Sequence, residues 1–519
     1  MAVRVLRKYL TARCAAGLPV FFAMLVIALH AGCRSSAADG DKPAVTGGDP
    51  ALADQSLSLR VMSFNIEWGG THVRFGAVAE AIEAAGADIV GIQEAEGNLA
   101  RLATDLGWHY NLRTHVIAKY PIIEPPEAAG RYVLVEVQPG RVVAIANLHL
   151  PPTPSGAAWL HAGRETREVL AMERAVRLRI AERFIDALPF LAQQEVPVFL
   201  SGDFNSPSHQ DWTEETIGRF PHRDRVVPWP VTRAAAEAGL RDSFRDIHQS
   251  PLEHPGFTWW AGRPRIDDFN PTDENLRTRI DFLWYGGPAE VTDSRLVGEA
   301  GAPEVGVVIT PWPSDHRAVV SDFEVIPAPM PHTVAALQRV HESGTPLNFV
   351  FRNRTPTGSL VVERHQSEVI TERRIRLGMD LGLLMVPDDF LLPGRYEVSL
   401  GDGQGIEVSR NEFWILSPDA KPALEIGGRH FASGEPLPVA WRDGPGNRYD
   451  WIGIYEASST KKQSYLAWNY LDARSSGDMQ LSGANAREGW PLPPGRYLAR
   501  MLLDDGYTVL AESGHFTVE

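Results

Sequence analysis

The order of apolar and polar positions predicts alternating strands and helices in the first part of the folded chain. An apolar run over 57–66 is followed by apolar side chains at helical spacing between Phe75 and Ala85, and then by a short apolar run over 88–92. This order predicts strand, helix, strand. Further predicted elements are a hairpin over 132–137 and 142–148, an amphipathic helix over 164–188, and strands over 196–200, 279–285, 305–309 and 318–325. Mixed strands and helices with one hairpin favour an α/β sandwich over a purely parallel sheet.

Beyond a proline-rich segment at 327–331, helical periodicity gives way to short alternating runs. The sequence here is partly duplicated, because Leu-Pro-Gly-Arg-Tyr-Glu-Val at 392–398 is similar to Pro-Pro-Gly-Arg-Tyr-Leu-Ala at 493–499. The repeat predicts two β-sandwich modules in tandem, 328–418 and 419–519.

The N-terminal segment has the composition of an export signal. A basic start precedes an apolar stretch over 15–29, and the stretch ends in Leu29-His30-Ala31-Gly32-Cys33, which resembles the lipobox of bacterial lipoproteins except at His30. We therefore expect a signal over 1–33, a polar tether over 34–55, and a first domain over 56–327. The expected location is the bacterial cell envelope, anchored in the membrane through a lipidated Cys33, or the secreted fraction. A signal cut elsewhere and an uncleaved membrane anchor remain alternatives.

Composition limits the partners. The length of 519 residues indicates about three domains. The formal net charge of −15 opposes non-specific binding to a polyanion such as duplex DNA. The two cysteines, Cys14 and Cys33, both lie in the first segment, so a disulfide cannot form within the folded part.

Short polar motifs follow the predicted strands of the first domain. They are Asn65-Ile66-Glu67, Gln93-Glu94, Asn147-Leu148-His149, Asp203-Phe204-Asn205 and Ser314-Asp315-His316, while Asp281 opens its strand. Each motif alone has an ordinary explanation as a cap, a turn or a solvated side chain. Together they point to one crevice at the end of a sheet. Their carboxylate and amide oxygens suit a hard divalent cation such as Mg²⁺ better than zinc.

In this order the motifs resemble the endonuclease/exonuclease/phosphatase superfamily, which includes deoxyribonucleases, abasic-site endonucleases, bacterial sphingomyelinases and inositol polyphosphate 5-phosphatases. The likeness covers 57–326 and is most specific at 201–205, 279–282 and 314–316. It implies an α/β four-layer sandwich, with two mixed β-sheets flanked by helices, followed here by two all-β sandwich domains. It also implies an exported hydrolase of phosphoesters that uses Mg²⁺, with Mn²⁺ as an alternative.

The resemblance also implies roles for individual residues. Glu94 is the expected principal metal ligand beside Asn65, and Glu67 and Asp315 are expected nearby or at a second metal. Asp203 is expected to orient and deprotonate the attacking water, and Asn205 to hold the phosphate. Asp281 and His316 resemble the carboxylate-imidazole pair of the family. His149 is expected to act as general acid or to contact phosphate. The full set is Asn65, Glu67, Glu94, His149, Asp203, Asn205, Asp281, Asp315 and His316.

The segment over 108–121 departs from the family. It is shorter than in relatives and has Ala118-Lys119 where they have serine-arginine, which removes surface that nucleases use to hold a duplex. The substrate is therefore left open among nucleic acid, phospholipid and small phosphate esters. A sphingomyelinase-like phospholipase and a non-catalytic envelope binding protein are the alternatives. In the second module, 450–455 and 465–468 resemble the aromatic strands of SKICH-type immunoglobulin-like domains. Their aromatic side chains are expected either to be exposed and to contact carbohydrate or lipid, or to pack in the core.

Overall fold

The computed structural model describes residues 55–262, 277–301, 304–366, 369–386, 391–487 and 489–519. The predicted export signal and all but the last residue of the predicted tether lie outside these described residues. Within the described ranges, none of the helices has both the length and the apolar character required to cross a bilayer.

The first domain contains both strands and helices, as the apolar pattern predicts. In chain order they are β1 (Leu57–Asn65), α1 (Phe75–Ala85), β2 (Ile89–Gln93), α2 (Leu99–Leu106), β3 (His109–Asn111), β4 (Val116–Ala118), β5 (Ile122–Ile123), β6 (Val133–Gln138), β7 (Arg141–His149), α3 (Gly156–His161), α4 (Thr166–Glu173), α5 (Arg179–Ile185), α6 (Ala187–Ala192), β8 (Val198–Asp203), α7 (Pro230–Glu237), β9 (Arg241–Asp242), α8 (Ser243–Ile247), β10 (Asp281–Gly286), β11 (Ala289–Gly298), β12 (Val305–Val308), β13 (Ala318–Val325) and β14 (Ala328–Pro329).

These strands form two mixed sheets. The first has the order β12-β11-β13-β1-β2-β4-β3, and the second has the order β5-β6-β7-β8-β10-β9, with β14 also paired to β7. Apolar side chains such as Val61 and Ile89 of the first sheet pack against Val143 and Phe199 of the second. Strands buried on both faces read as continuous apolar runs, which explains the pattern seen in the sequence.

Helices cover the outer faces of both sheets. Phe75 of α1 and Leu99 of α2 pack on the first sheet, while Phe184 of α5 and Val231 of α7 pack on the second. The first domain is therefore an α/β sandwich of four layers, which confirms the predicted fold class.

One predicted helix is interrupted, and one long strand was not predicted. The predicted helix over 164–188 begins at Thr166 and contains a π-helical segment, Arg174–Leu178, between α4 and α5. This segment carries the buried Arg177, whose guanidinium donates to the carbonyls of Pro151, Pro152 and Pro154. The long strand β11 was not predicted, because a bulge between Val291 and Asp293 interrupts its alternation of apolar and polar side chains.

The remainder of the described chain is all-β. Its strands are β15 (Thr333–Ala336), β16 (Val340–Glu342), β17 (Leu347–Arg352), β18 (Ser359–Gln366), β19 (Val369–Arg376), β20 (Leu381–Val386), β21 (Gly394–Gly401), β22 (Glu407–Leu416), β23 (Ala423–Ile426), β24 (His430–Phe431), β25 (Leu437–Arg442), β26 (Trp451–Glu456), β27 (Tyr465–Tyr470), β28 (Gly477–Leu481), β29 (Gly495–Leu502), β30 (Val509–Glu512) and β31 (Phe516–Val518). We call 328–418 the first module and 419–519 the second module.

The two modules repeat one arrangement. The first has sheets β15-β17-β20 and β16-β22-β21-β18-β19, and the second has sheets β23-β25-β28 and β24-β31-β29-β26-β27 with β30 beside β29. In the repeated sequence, the Tyr396 hydroxyl donates to the Leu392 carbonyl at 2.6 Å, and the Tyr497 hydroxyl donates to the Pro493 carbonyl at 2.6 Å. The duplication seen in the sequence is thus a structural one, and each copy fits a β-sandwich.

Candidate active site

The topology of the first sheet brings Asn65, Gln93 and His316 to one edge. Strands β1 and β2 are parallel neighbours, and their last residues, Asn65 and Gln93, are paired in register. Strand β13 is antiparallel to β1, so the residues just before it, including His316, lie at the end where β1 finishes. The carboxyl ends of two strands and the start of a third therefore meet at this edge.

The second sheet contributes three residues by the same logic. The parallel strands β7 and β8 end at His149 and Asp203, which are partners in register. Strand β10 is antiparallel to β8, and its first residue, Asp281, pairs with Asp203. Asp203 therefore lies between His149 on one neighbouring strand and Asp281 on the other.

Buried amides join the two sheets beneath this edge. Gln93 Nε2 donates to Asn147 Oδ1 at 2.7 Å, and Asn147 Nδ2 donates to the Ile92 carbonyl at 2.9 Å. The sheets approach so closely that a Cβ on Gly91 would lie 2.1 Å from Ser201 Oγ. The buried polar residues Gln93 and Asn147 thus fix the spacing of the sheets below the site.

Asn65 links the carboxylates of the two sheets. Its Nδ2 donates to Glu94 Oε1 at 3.0 Å and to Asp203 Oδ2 at 3.1 Å. The Trp68 amide donates to Glu94 Oε2 at 3.0 Å. Burial alone would raise the pKa of Glu94, but the His149 and His316 imidazoles and these hydrogen bonds lower it. Glu94 is therefore held as a carboxylate, the form that a cation requires.

Asp203 lies at the centre of the site and is buried. The Asn205 amide donates to Asp203 Oδ1 at 2.8 Å, and Asn205 Nδ2 donates to Asp203 Oδ2 at 3.1 Å and to the Leu150 carbonyl at 2.9 Å. Burial and then the charge of Asp281 raise the pKa of Asp203 to about 6, although both nearby imidazoles act in the opposite direction. A carboxylate with this pKa can accept a proton near neutral pH.

His316 forms a carboxylate-imidazole pair with Asp281. Its Nδ1 lies 2.9 Å from Asp281 Oδ2, and its Nε2 lies 3.7 Å from Asp203 Oδ2. Burial alone would lower the pKa of His316, but Asp281, Asp203 and Asp315 together raise it well above its usual value. Thr258 Oγ1 accepts the amides of Ile280 and Asp281 and so fixes the start of β10. The pair presents a charged imidazole to the crevice.

His149 faces both central carboxylates from the end of β7. Its Nε2 lies 3.8 Å from Glu94 Oε1 and 3.6 Å from Asp203 Oδ2, beyond hydrogen-bonding distance. Nε2 is buried and has no hydrogen-bond partner within the described chain. This nitrogen is therefore positioned to interact with a group bound between it and the carboxylates.

Glu67 and Asp315 lie together at the rim. The Asp315 amide donates to Glu67 Oε2 at 3.0 Å, and His72 Nδ1 lies 3.4 Å from Glu67 Oε1. Trp259 Nε1 donates to Asp315 Oδ2 at 3.3 Å. The structure thus places Glu67 against the backbone of Asp315, and Asp315 beside His316.

The backbone at three of the predicted site residues adopts an unusual conformation. Glu67, Glu94 and Asn205 have φ angles of 52°, 54° and 47°, in a region that residues other than glycine rarely occupy. Such conformations each cost about 1–3 kcal/mol and cluster where side chains must be aimed for function. All three side chains are turned in this way toward the carboxylate cluster or its rim.

The donor set is suited to a divalent cation. Within the described residues, Asp203, Asp281 and His316 can bring ligand atoms within 4.8 Å of one another. Glu94 joins this group through Asn65, and Oδ1 of the buried Asp281 has no hydrogen-bond partner within the described chain. A concentration of buried carboxylates is costly unless positive charge offsets it. The carboxylates present therefore fit a divalent cation, and the charged His316 would not be among its ligands.

A second buried charge cluster supports the site from below. Arg279 donates to Asp211 Oδ1 at 2.9 Å and to Asp242 Oδ2 at 2.7 Å, and Arg245 donates to Asp211 Oδ1 at 2.7 Å. Burial alone would raise the pKa of Asp211, but these guanidiniums lower it well below its usual range. In the Arg279-Ile280-Asp281 motif, the arginine therefore anchors the strand and the aspartate faces the crevice.

Residues of the second module contact the first domain near the candidate site, and the sequence did not predict these contacts. Asp504 lies 3.1 Å from His115 Nε2, and Arg448 Nη1 donates to the Asn147 carbonyl at 2.7 Å. The Tyr449 ring stands edge-on to the His115 ring, with the centroids 5.3 Å apart. In the sequence, Asp504-Asp505-Gly506 reads as an ordinary turn. No signal in it indicates a contact with another domain.

Comparison with known proteins finds similar sequences and solved structures. A sequence model described as the Endonuclease/Exonuclease/phosphatase family matches residues 62–316. An uncharacterized protein of Caenorhabditis elegans is 30% identical over 298 residues, which cover 52% of this chain and 93% of that protein. A solved endonuclease/exonuclease/phosphatase from Beutenbergia cavernae is 18% identical, covering 69% of this chain and 99% of that chain with a TM-score of 0.31. An AP endonuclease from Archaeoglobus fulgidus is 16% identical, covering 51% and 98% with a TM-score of 0.33.

Proposed function

Because this chain belongs to the endonuclease/exonuclease/phosphatase family, whose members are generally hydrolases of phosphoesters, we propose that it is a metal-dependent phosphoester hydrolase. Asp203 is the proposed base that orients and deprotonates the attacking water. The observation that carries this proposal is the position of Asp203, whose carboxylate is buried between Asn65, Asn205 and the two imidazoles.

Each group around Asp203 has a separate proposed role in an in-line displacement. The Asp203 carboxylate takes the proton of the water, and Asn205 and the charged His316 hold the non-bridging phosphate oxygens. His149, whose Nε2 lies 3.6 Å from Asp203 Oδ2, gives a proton to the leaving oxygen. Asp281 keeps His316 charged and oriented through the contact at Nδ1.

Glu94 and Asn65 are the proposed principal metal ligands, with Glu67 and Asp315 near a second cation position. When bound, Mg²⁺ or Mn²⁺ supplies positive charge that stabilises the developing charge on the phosphoryl oxygens. The proposed substrates are phosphoesters other than duplex nucleic acid, because the net charge of −15 opposes binding to a polyanion.

The test is hydrolysis of bis-p-nitrophenyl phosphate and p-nitrophenyl phosphate by residues 55–519 with Mg²⁺ or Mn²⁺. We expect Asp203→Ala to lower kcat by at least about 10³-fold, because the water loses its base. Asp105→Ala is the matched control, since Asp105 is exposed on α2 and remote in function. Full activity in Asp203→Ala would overturn the mechanism. A wild type that binds Mn²⁺ without hydrolysing any ester would indicate the non-catalytic binding protein.

We also propose export and lipid attachment at Cys33, on the basis of the sequence pattern alone. Labelled palmitate should enter the wild type and not Cys33→Ser. Incorporation into both forms, or into neither, would contradict the attachment.

A further inference from the structure

The last residues of β7, which carry His149, have a sheet neighbour on one side only among the described strands. The pairing of β6 with β7 reaches no further along β7 than Ile145, whereas β8 pairs with β7 as far as His149. Leu150 donates its amide to the Asp203 carbonyl of β8 at 3.0 Å. Because the backbone groups of successive residues face opposite edges of a strand, those of Asn147 and His149 face away from β8.

Arg448 of the second module occupies this open side. Its Nη1 donates to the Asn147 carbonyl at 2.7 Å and to the Thr114 carbonyl at 3.3 Å, and its amide donates to the Leu112 carbonyl at 2.9 Å. Asn147 belongs to the second sheet, while Leu112 and Thr114 lie in the turn between β3 and β4 of the first sheet. Arg448 therefore satisfies backbone acceptors of both sheets beside the end of β7.

Arg177 holds the backbone that follows His149. Its buried guanidinium donates to the carbonyls of Pro151, Pro152 and Pro154 at 2.8–3.1 Å. Proline has no N–H, so this segment cannot donate to a neighbouring strand, and the guanidinium satisfies its carbonyls instead. Pro151 lies two residues after His149, and the second module contacts the residue two positions before it. An arginine therefore holds the backbone on either side of His149.

A buried contact fixes Arg448 relative to the first domain. Asp504 Oδ2 accepts the Gly97 amide at 2.7 Å, and Asp504 Oδ1 lies 3.1 Å from His115 Nε2, with the side chains of Asp504 and His115 buried. The amide of Tyr449, the next residue after Arg448, donates to the same Oδ1 at 3.4 Å. The segment that carries Arg448 is therefore tied to the first domain through a buried carboxylate as well as through its own side chain.

We propose that Arg448 is a positioning residue of the active site, which together with Arg177 holds the end of β7 so that His149 faces the central carboxylates. In this position His149 Nε2 lies 3.6 Å from Asp203 Oδ2 and 3.8 Å from Glu94 Oε1. The inference rests on the proposed function, in which His149 gives a proton to the leaving oxygen. It makes the second module part of the catalytic unit rather than a separate binding module.

Proton transfer to a leaving oxygen requires His149 at a defined distance from that oxygen. A displacement of about 1 Å can lower the rate of such a step by about 10²-fold. Without the Arg448 side chain, the Asn147 carbonyl loses its donor, and the end of β7 is held by β8 and Arg177 alone. An ester that needs a proton on its leaving oxygen then reacts more slowly, whereas an ester with a stable leaving anion is little affected.

The experiment compares two leaving groups in the full-length chain with Mg²⁺ or Mn²⁺. Bis-p-nitrophenyl phosphate releases a stable phenolate, and bis-p-nitrobenzyl phosphate releases an alkoxide of similar shape. We expect Arg448→Ala to lower kcat at least about tenfold on the benzyl ester and less than about threefold on the phenyl ester. Arg448→Gln, which keeps one donor for Asn147, should give a kcat on the benzyl ester between those of Arg448→Ala and the wild type.

A double variant shows whether Arg448 acts through His149. In a His149→Ala background, we expect Arg448→Ala to lower kcat on the benzyl ester by less than about a further twofold, because the group that it positions is already absent. The matched control is Arg442→Ala, at an exposed arginine of the same module on β25. This control should keep the wild-type kcat on both esters.

The outcomes separate a positioning role from a structural one. Equal losses on the two esters, an undiminished loss in the His149→Ala background, or an unchanged kcat in Arg448→Ala would each overturn the inference and leave the proposed function intact. A wild type that hydrolyses neither ester would overturn the proposed function and this inference with it. If Arg448→Ala does not fold, Arg448→Gln carries the same comparison.

Discussion

Asp281 and Asp203 face the same imidazole from adjacent strands: Asp281 Oδ2 lies 2.9 Å from Nδ1 of His316, and Asp203 Oδ2 lies 3.7 Å from Nε2. The shorter contact orients the ring, and the longer one leaves room for a ligand oxygen. His316 thus pairs with the positioning carboxylate of Asp281 through Nδ1, and its Nε2 faces Asp203, the proposed base.

The first prediction concerns Asp281→Asn. Burial lowers the pKa of His316, but Asp281 is the largest of the groups that raise it above 6.5. Without that charge His316 loses its proton at a lower pH, so we expect the alkaline limb of the kcat/KM profile to shift by at least about one unit toward acid. The profile of bis-p-nitrophenyl phosphate hydrolysis checks this.

The same variant has a signature in stability. A histidine with a raised folded pKa adds stability that is fully present below its unfolded pKa of about 6.5 and is lost as pH rises through the folded pKa. The difference in unfolding free energy between wild type and Asp281→Asn should therefore be larger at pH 6 than at pH 10, as measured in urea without metal. A difference independent of pH would contradict the assigned charge of His316.

Glu94→Gln should weaken binding of a divalent cation. The amide keeps the shape of the side chain but removes the charge that the imidazoles and Asn65 stabilise, so we expect the Kd for Mn²⁺ to rise by at least about 100-fold. Isothermal titration provides the measurement. Glu83→Gln, an exposed change on α1, should leave the Kd unchanged, and equal affinities in all three proteins would remove Glu94 from the metal site.

His149→Ala should be sensitive to the leaving group. If His149 protonates the leaving oxygen, an alkyl ester should lose about 10²-fold or more in kcat, whereas an ester with a p-nitrophenolate leaving group should lose less than about tenfold. The exposed His332→Ala serves as the matched control. Equal losses on both esters would instead assign His149 to phosphate contact.

Asp211→Asn should destabilise the fold without a direct role in chemistry. The change leaves Arg245 and Arg279 buried without their shared carboxylate, so we expect about 3–5 kcal/mol less unfolding free energy. Urea denaturation measures it, with the exposed Asp186→Asn as control.

The pH dependence of this loss has a defined sign. Asp211 has a depressed pKa in the folded state, so its contribution is present above the unfolded value of about 3.9 and is lost as pH falls through the folded pKa. The gap between wild type and variant should be constant from pH 5 to 8 and narrow only below about pH 4. A gap that widens toward acid would refute the assigned pairing.

Much of the fold and the convergence of the site residues could be predicted from sequence. Asn65, His149 and Asp203 end strands that are continuous apolar runs, and the parallel pairing of such strands brings their ends to one edge. The antiparallel start of β10 places Asp281 opposite Asp203 for the same reason. Roles within the site, including those at the metal, stay predictions.

Other features depend on contacts that no local pattern encodes. The hydrogen bonds of Asn65 to Glu94 and Asp203 depend on how far apart the two sheets lie. The periodicity of apolar residues within one strand carries no information about that distance. The docking of Asp504 on His115 joins loops of different domains, and each loop alone has ordinary turn chemistry. The immunoglobulin-like character of the modules and their boundaries also stay predictions.

The position of Asp504 along the chain has a consequence for biosynthesis. It follows His316 by about 190 residues, so a ribosome adding about 5–20 residues per second needs roughly 10–40 s to supply it after the last residue of the candidate active site. A nascent chain that has already folded its first four layers still lacks Arg448, Tyr449 and Asp504, which contacts Gly97 and His115. The contacts that the second module makes with His115 and Asn147 therefore form only after translation has passed Asp504.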